Sequence, residues 1–199
     1  NLPVLVMGDV GGQCLDRTLR QRRLDLEECL RIGINIASSL RDIHAAGVMH
    51  KVVKPANVIV DDGLTTARLT DFDISSQLKS ERAGEMDLSE LAGSLPYISP
   101  EQTGRMNRSV DTRTDLYSLG ATLFELATGR RLFTADDPME LVHCHIARQP
   151  EPPTQLVPEL PETVELIILR LIAKTAEDRY QSAAGVIHDL QRCLNQLTS

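Results

Sequence analysis

The chain has 199 residues, one domain's worth, with the 42% hydrophobic and 25% charged content that is ordinary for a soluble globular protein. A net charge of -7 argues against a general nucleic-acid or anionic-membrane surface, so no nucleic acid and no membrane are expected as partners. No apolar run reaches the length of a membrane span, and no signal-peptide pattern stands at the start.

Leu2 to Met7 reads as a buried strand, followed by the flexible run Gly8-Asp9-Val10-Gly11-Gly12. Gly11-Gly12 is not a G-x-G-x-x-G phosphate loop, and none occurs elsewhere. Leu26, Leu30, Ile34, Ala37, Leu40 and His44 recur at helical spacing and predict a helix over Leu26 to Ala46. Cys29, Ile32, Ile36 and Ile43 widen its apolar stripe, and Gly47 is a natural terminator. Val58-Ile59-Val60 and Ala67-Arg68-Leu69, split by the turn signal Asp61-Asp62-Gly63, predict a tight antiparallel hairpin. Ser75 to Ser94 is polar and poorly periodic, which suits a mobile surface segment. Asp115 to Thr128 is apolar almost all round, the mark of a helix buried in mid-domain. Thr114 or Asp111 can cap its start and Gly129 its end. Further helices are expected over Pro138 to Arg148, Glu162 to Ala173 and Ser182 to Leu197, with prolines punctuating the first connection. The expected class is mainly α with short β hairpins. Cys14, Cys29, Cys144 and Cys193 form no C-x-x-C pair, so they read as reduced thiols of a cytoplasmic protein. The chain opens on Asn1 inside an apolar run and is expected to be a fragment of something longer.

Around the hairpin stand residues suited to phosphate and a hard divalent cation. Mg²⁺ prefers oxygen ligands, and Asn57 with Asp71 would supply the protein's share. Lys54 adds a mobile positive charge for a transferring phosphoryl group. The string His50-Lys51-Val52-Val53-Lys54-Pro55-Ala56-Asn57 resembles the His-Arg-Asp-x-x-x-x-Asn catalytic loop of eukaryotic-like Ser/Thr protein kinases. Asp71-Phe72-Asp73 is similar to their Asp-Phe-Gly motif, and Ser99-Pro100-Glu101 to their Ala-Pro-Glu motif. Two departures from the pattern bear on activity. Val52 stands where the catalytic aspartate belongs, and Asp73 replaces the glycine.

The resemblance implies a protein-kinase-like large lobe over residues 13–199, with the small lobe absent apart from its last strand and hinge over residues 1–12. Met7, Gly8, Val10 and Ile59 would then border the nucleotide, with Asn57 and Asp71 as the metal ligands and Lys54 as the catalytic cation. ATP and Mg are the implied cofactors, expected to bind only with a small lobe present. Residues 75–94 would be the activation loop, with Ser76, Ser80, Ser89 and Ser94 as its hydroxyls. Lys51, where the family often has Arg, gives a point charge rather than a fork, which disfavours switching by loop phosphorylation. His50 is implied to tuck against Phe72 as a structural residue, and Glu101 to pair with Arg179 in a buried salt bridge. Asp115 is implied to hold the catalytic-loop backbone, the plainer reading being a helix N-terminal carboxylate.

His143-Cys144-His145 does not read as a metal site, because adjacent helical residues point about 100° apart. The runs Glu101 to Ser109 and Leu141 to Ala147 resemble the kinase-like module at the front of large bacterial multidomain sensor proteins that also carry a histidine kinase. Together these features favour a pseudokinase or regulatory module of a signalling protein. The alternative is a weakly active kinase transferring the ATP gamma-phosphate to protein hydroxyls. The implied partners are ATP and either a protein substrate or regulatory domains of the same longer chain.

Overall fold

In a computed structural model of the chain, residues 11–72, 76–77, 93–105 and 108–198 are described. The predicted strand over residues 2–7, the residues Met7, Gly8 and Val10 expected to border a nucleotide, and Asp73 lie outside them, as does most of the 75–94 segment.

The first elements are β1 (Gln13–Cys14), α1 (Leu15–Gln21), α2 (Leu26–Ala45), β2 (Val48–Met49), β3 (Val58–Val60), β4 (Ala67–Leu69) and β5 (Ser76–Gln77). After them come α3 (Arg113–Thr128), α4 (Pro138–Ala147), α5 (Pro153–Leu156), α6 (Glu162–Leu171) and α7 (Ala183–Leu197). The predicted helices are present with ends shifted by a residue or two. The expected hairpin forms with Val58 opposite Leu69 and Val60 opposite Ala67. It gains a third strand, however. β1 pairs with the far side of β3 and places Cys14 opposite Ile59, in a stretch whose two residues are too few to show a period. β2 and β5 form a separate antiparallel pair.

α1 was not expected from the sequence, although Leu15 and Leu19 lie on one face of it and Asp16 pairs with Arg20 at 2.7 Å on the other. α2 begins at a capping box. The Asp25 side chain accepts from the Glu28 amide at 2.8 Å, and the Glu28 carboxylate accepts from the Asp25 amide at 3.0 Å. α3 is buried almost all round, as its composition requires. It starts two residues earlier than predicted, because Asp111 serves its first turn by accepting from the Arg113 amide. Thr114 is inside the helix instead. Gly129 ends it in the left-handed conformation at φ 69°. At Gly120 a Cβ would lie 2.6 Å from the Leu171 Cβ and 2.8 Å from the Ile172 Cγ2, so only glycine lets α3 and α6 approach this closely. Leu30, Ile36, Leu116, Leu119, Ile168 and Val186 fill the aliphatic core. No helix among the described residues is long and apolar enough to cross a membrane.

The buried Glu101–Arg179 pair fastens three segments. The Arg179 guanidinium donates to Glu101 through Nη1 at 2.6 Å and Nη2 at 2.9 Å. It also donates to the carbonyls of Ala173, Arg113 and Lys174, so all five of its N–H groups find acceptors. Thr114 Oγ1 donates to the same carboxylate at 2.8 Å, and the guanidinium lies 4.9 Å from the centre of the Tyr117 ring. Burial pushes the Glu101 carboxyl up, but the hydrogen bonds and charge of Arg179 outweigh it and hold the group below its ordinary value.

Removing one member of such a pair leaves a buried charge. Glu101→Ala and Arg179→Ala should each cost about 3–5 kcal/mol in denaturant melts, with the double variant less than additive. Single variants within about 0.5 kcal/mol of wild type would remove the clamp from this account. Because the carboxyl is held down in the folded state, its stabilisation is present above its unfolded pKa. It should fade as the pH falls below about 4, and Glu101→Ala should flatten that acid limb.

Candidate functional site

The site is a loop, residues 50–57, whose backbone is held by side chains from elsewhere. It leaves β2 at Met49 and turns through Lys51 at φ 73°, a conformation that costs a non-glycine residue energy and must be supported by its surroundings. The support comes from Asp115, fully buried in the first turn of α3. Its Oδ2 accepts from the His50 amide at 2.9 Å and its Oδ1 from the Lys51 amide at 2.6 Å. His44, at the last turn of α2, meets Oδ2 through Nε2 at 2.7 Å. The same side chain thus satisfies two loop amides and joins α2 to α3.

The next three carbonyls are held in turn. Gln102 Nε2 donates to Lys51 O at 2.8 Å, Asn57 Nδ2 to Val52 O at 3.2 Å, and Thr122 Oγ1 to Val53 O at 2.8 Å. Pro55 then opens a single 3₁₀ turn, closed by the Asn57 amide donating to Lys54 O. His50 is buried, with its Nε2 at 2.9 Å from the Thr70 carbonyl and its ring 4.8 Å from that of Phe72. A carbonyl can only accept, so Nε2 carries the proton and is committed. Both contacts bear out a structural His50.

The backbone brings the candidate ligands to the same end of the hairpin. Thr70 donates its amide to Asn57 O at 2.9 Å, so Asp71 follows directly on the residue paired with Asn57. Asp71 is exposed and sits at φ 63°. The Asn57 amide nitrogen is spent on Val52, which leaves its amide oxygen as the atom a cation could take. An amide oxygen beside a carboxylate fits a hard cation such as Mg²⁺. It is a poor set for the softer transition metals. Lys54 Nζ donates to Ser94 Oγ at 2.8 Å. Ser94 is buried, so its loop hydroxyl is a partner for Lys54 in this structure. Val52 is 1% exposed and belongs to the core. Ile59 is half-buried on β3.

Sequence reasoning missed the roles of Gln102 and Thr122, the contact of Ser94 with Lys54 and that of His44 with Asp115. Each acts on backbone or side chains 40 or more residues away, and spacing in a single sequence carries no such signal. His143 is exposed while Cys144 and His145 are buried, and His145 Nδ1 contacts the Tyr117 hydroxyl at 2.9 Å.

Residues 3–190 match the protein kinase domain family. The chain is 33% identical over 196 residues to a probable serine/threonine-protein kinase of Streptomyces coelicolor, covering 98% of this chain and 29% of that protein. It is 32% identical over 196 residues to a probable serine/threonine-protein kinase of Clostridium acetobutylicum, with the same coverage. To serine/threonine-protein kinase PknB of Mycobacterium tuberculosis it is 31% identical over 195 residues, covering 98% of this chain and 31% of the relative. The chain therefore spans less than a third of the length of these relatives.

The backbone ties predict a measurable cost. Gln102→Leu and Thr122→Val each leave a loop carbonyl without its donor and should lose about 1–3 kcal/mol in urea melts. Wild-type midpoints for both variants would show that the loop holds its shape without them.

Proposed function

The chain belongs to the protein kinase domain family, and on that premise we propose that it is the large lobe of a Ser/Thr-type kinase fold that binds ATP–Mg²⁺ but transfers phosphate poorly or not at all. In this reading residues 13–199 form the lobe, and residues 1–12 are the end of the small lobe and the hinge. Met7, Gly8, Val10 and Ile59 border the nucleotide, Asn57 and Asp71 hold the metal, and Lys54 faces the phosphates. When bound, Mg²⁺ supplies charge neutralisation for the phosphoryl oxygens.

The observation that carries the reading is Val52. In this family an aspartate at that place orients the substrate hydroxyl and takes its proton. A valine packed in the core can do neither. No neighbour in the described loop replaces it. His50 donates from Nε2 to the Thr70 carbonyl, and its remaining basic nitrogen, Nδ1, is fully buried where no substrate hydroxyl reaches it, while both oxygens of Asp115 are occupied by His50, Lys51 and His44. Loss of a positioned base costs about 10²–10⁴ in rate. The metal-side residues are kept, however, which favours a nucleotide-dependent regulatory module over a purely structural scaffold.

The runs over residues 101–109 and 141–147 support placing this module in a bacterial multidomain sensor, where its partners are regulatory domains of the same longer chain. All four cysteines are unpaired, in keeping with a reducing, cytoplasmic setting.

Two measurements on the full-length protein test the reading. Calorimetric titration with Mg²⁺–ATP should show weak binding that Asp71→Ala abolishes, and equal binding by the variant would remove Asp71 from the metal site. Transfer of labelled phosphate from ATP to a generic Ser/Thr substrate should be slow in the native protein and rise about 10²–10⁴-fold in Val52→Asp. A native rate on the order of 1–100 per second would refute the pseudokinase assignment.

A further inference from the structure

The chain is acidic overall, yet arginines converge on two adjoining clefts. One, of about 560 Å³, is lined by Arg130, Arg131 and Arg148 against a single acid, Glu151. Its floor is apolar, built from Phe124, Leu132, Phe133 and Leu156. The second, of about 370 Å³, lies against α1 and shares Arg131, so the two form one band. Arg23 packs over Gly129 at their junction, its Nε 3.3 Å from where a Cβ would stand.

In the second cleft the acids and two of the arginines are already engaged, Arg22 holding Glu28 at 2.6 Å, so among the described residues the unpaired charge of the band rests on Arg23, Arg130 and Arg148. Asp16 pairs with Arg20 at 2.7 Å, and Glu125 accepts from the Tyr97 hydroxyl at 2.6 Å. Burial raises the Glu125 carboxyl, against the Tyr97 hydrogen bond and the nearby charge of Arg131. Arg23, Arg130 and Arg148 make no ion pair with a carboxylate among the described residues. Such a cluster in a chain of net charge -7 is a local excess of like charge that an anionic ligand would relieve.

We propose that this arginine-lined cleft docks an acidic peptide segment of a partner protein, with Asp or Glu residues flanking an apolar side chain. Guanidinium forks match carboxylates in geometry and shed their hydration easily, which suits them to such a ligand. The apolar floor gives the flanked side chain a place to lie. A free inorganic anion would leave that floor unused, and a nucleic acid would meet the repulsion of the remaining surface. The band is linked to the candidate site by hydrogen bonds: the Tyr97 hydroxyl donates to Glu125, and the Tyr97 amide donates to the carbonyl of Ser94, the partner of Lys54. The inference goes beyond the nucleotide reading and stands apart from it, since peptide docking is measured without ATP.

The test is fluorescence anisotropy of a labelled peptide alternating glutamate and leucine, titrated with the full-length protein in low and high salt. Arg130→Glu with Arg148→Glu should weaken binding by about 10-fold or more. Arg41→Glu with Arg192→Glu changes the net charge equally on the α2–α7 face and should leave affinity within about 2-fold. Thermal melts of both double variants confirm that they fold. A peptide with glutamine for glutamate should bind more weakly, and salt should weaken the acidic peptide's binding. Equal binding of the glutamine peptide, equal loss in the control pair, or stronger competition by inorganic polyphosphate than by unlabelled peptide would each overturn the proposal.

Discussion

Everything at the candidate site depends on one buried carboxylate. Asp115 has no exposure, and a charge in such a place is tolerated only when its oxygens are fully used. They are: two loop amides and the His44 ring converge on them. That satisfaction fixes Lys51 in a positive-φ turn and sets the direction in which the chain proceeds to Lys54 and Asn57. Without the carboxylate the His50 and Lys51 amides would lose this acceptor, the His50 amide in a fully buried place, and the turn would lose its main support.

Asp115 is part of a longer polar stripe on an otherwise apolar helix. Thr114, Ser118 and Thr122 recur at four-residue spacing along α3, all fully buried. Each reaches a different segment. Thr114 donates to Glu101, Ser118 Oγ to Tyr97 O at 2.7 Å, and Thr122 to Val53 O. The helix is therefore a rod against which the Lys51–Asn57 loop, the 95–97 turn and the Glu101–Arg179 clamp are registered. Its apolar residues supply burial, and its few polar ones supply position. Gly120 on another face admits α6, so the rod is gripped from both sides.

The long elements were legible in the sequence because periodicity reports burial directly. α2 and α7 carry wide apolar stripes, and the Asp-Asp-Gly turn announced the β3–β4 hairpin. β1 and α1 were not legible, since two strand residues and a seven-residue helix are too short for a period to emerge. At the site, the Glu101–Arg179 pair and the hold of Asp115 on the loop could be placed by motif, and the same motifs single out Lys54, Asn57 and Asp71 as candidates. The second ring of contacts could not. Gln102 and Thr122 look like ordinary polar residues until the fold carries them to the carbonyls of Lys51 and Val53. The residues expected to border a nucleotide on the hinge side lie outside the described part of the chain.

The most direct test of this account is native-state hydrogen exchange at the His50 and Lys51 amides, compared between wild type and Asp115→Asn. The amide side chain keeps the shape but removes the charge and one acceptor oxygen. The account predicts exchange at these two amides faster by about 10-fold or more, the equivalent of one lost hydrogen bond. The amides of Leu190 and Leu194 in α7 should keep their protection. Unchanged exchange at His50 and Lys51, or an equal acceleration in α7, would contradict the claim that this carboxylate orders the loop.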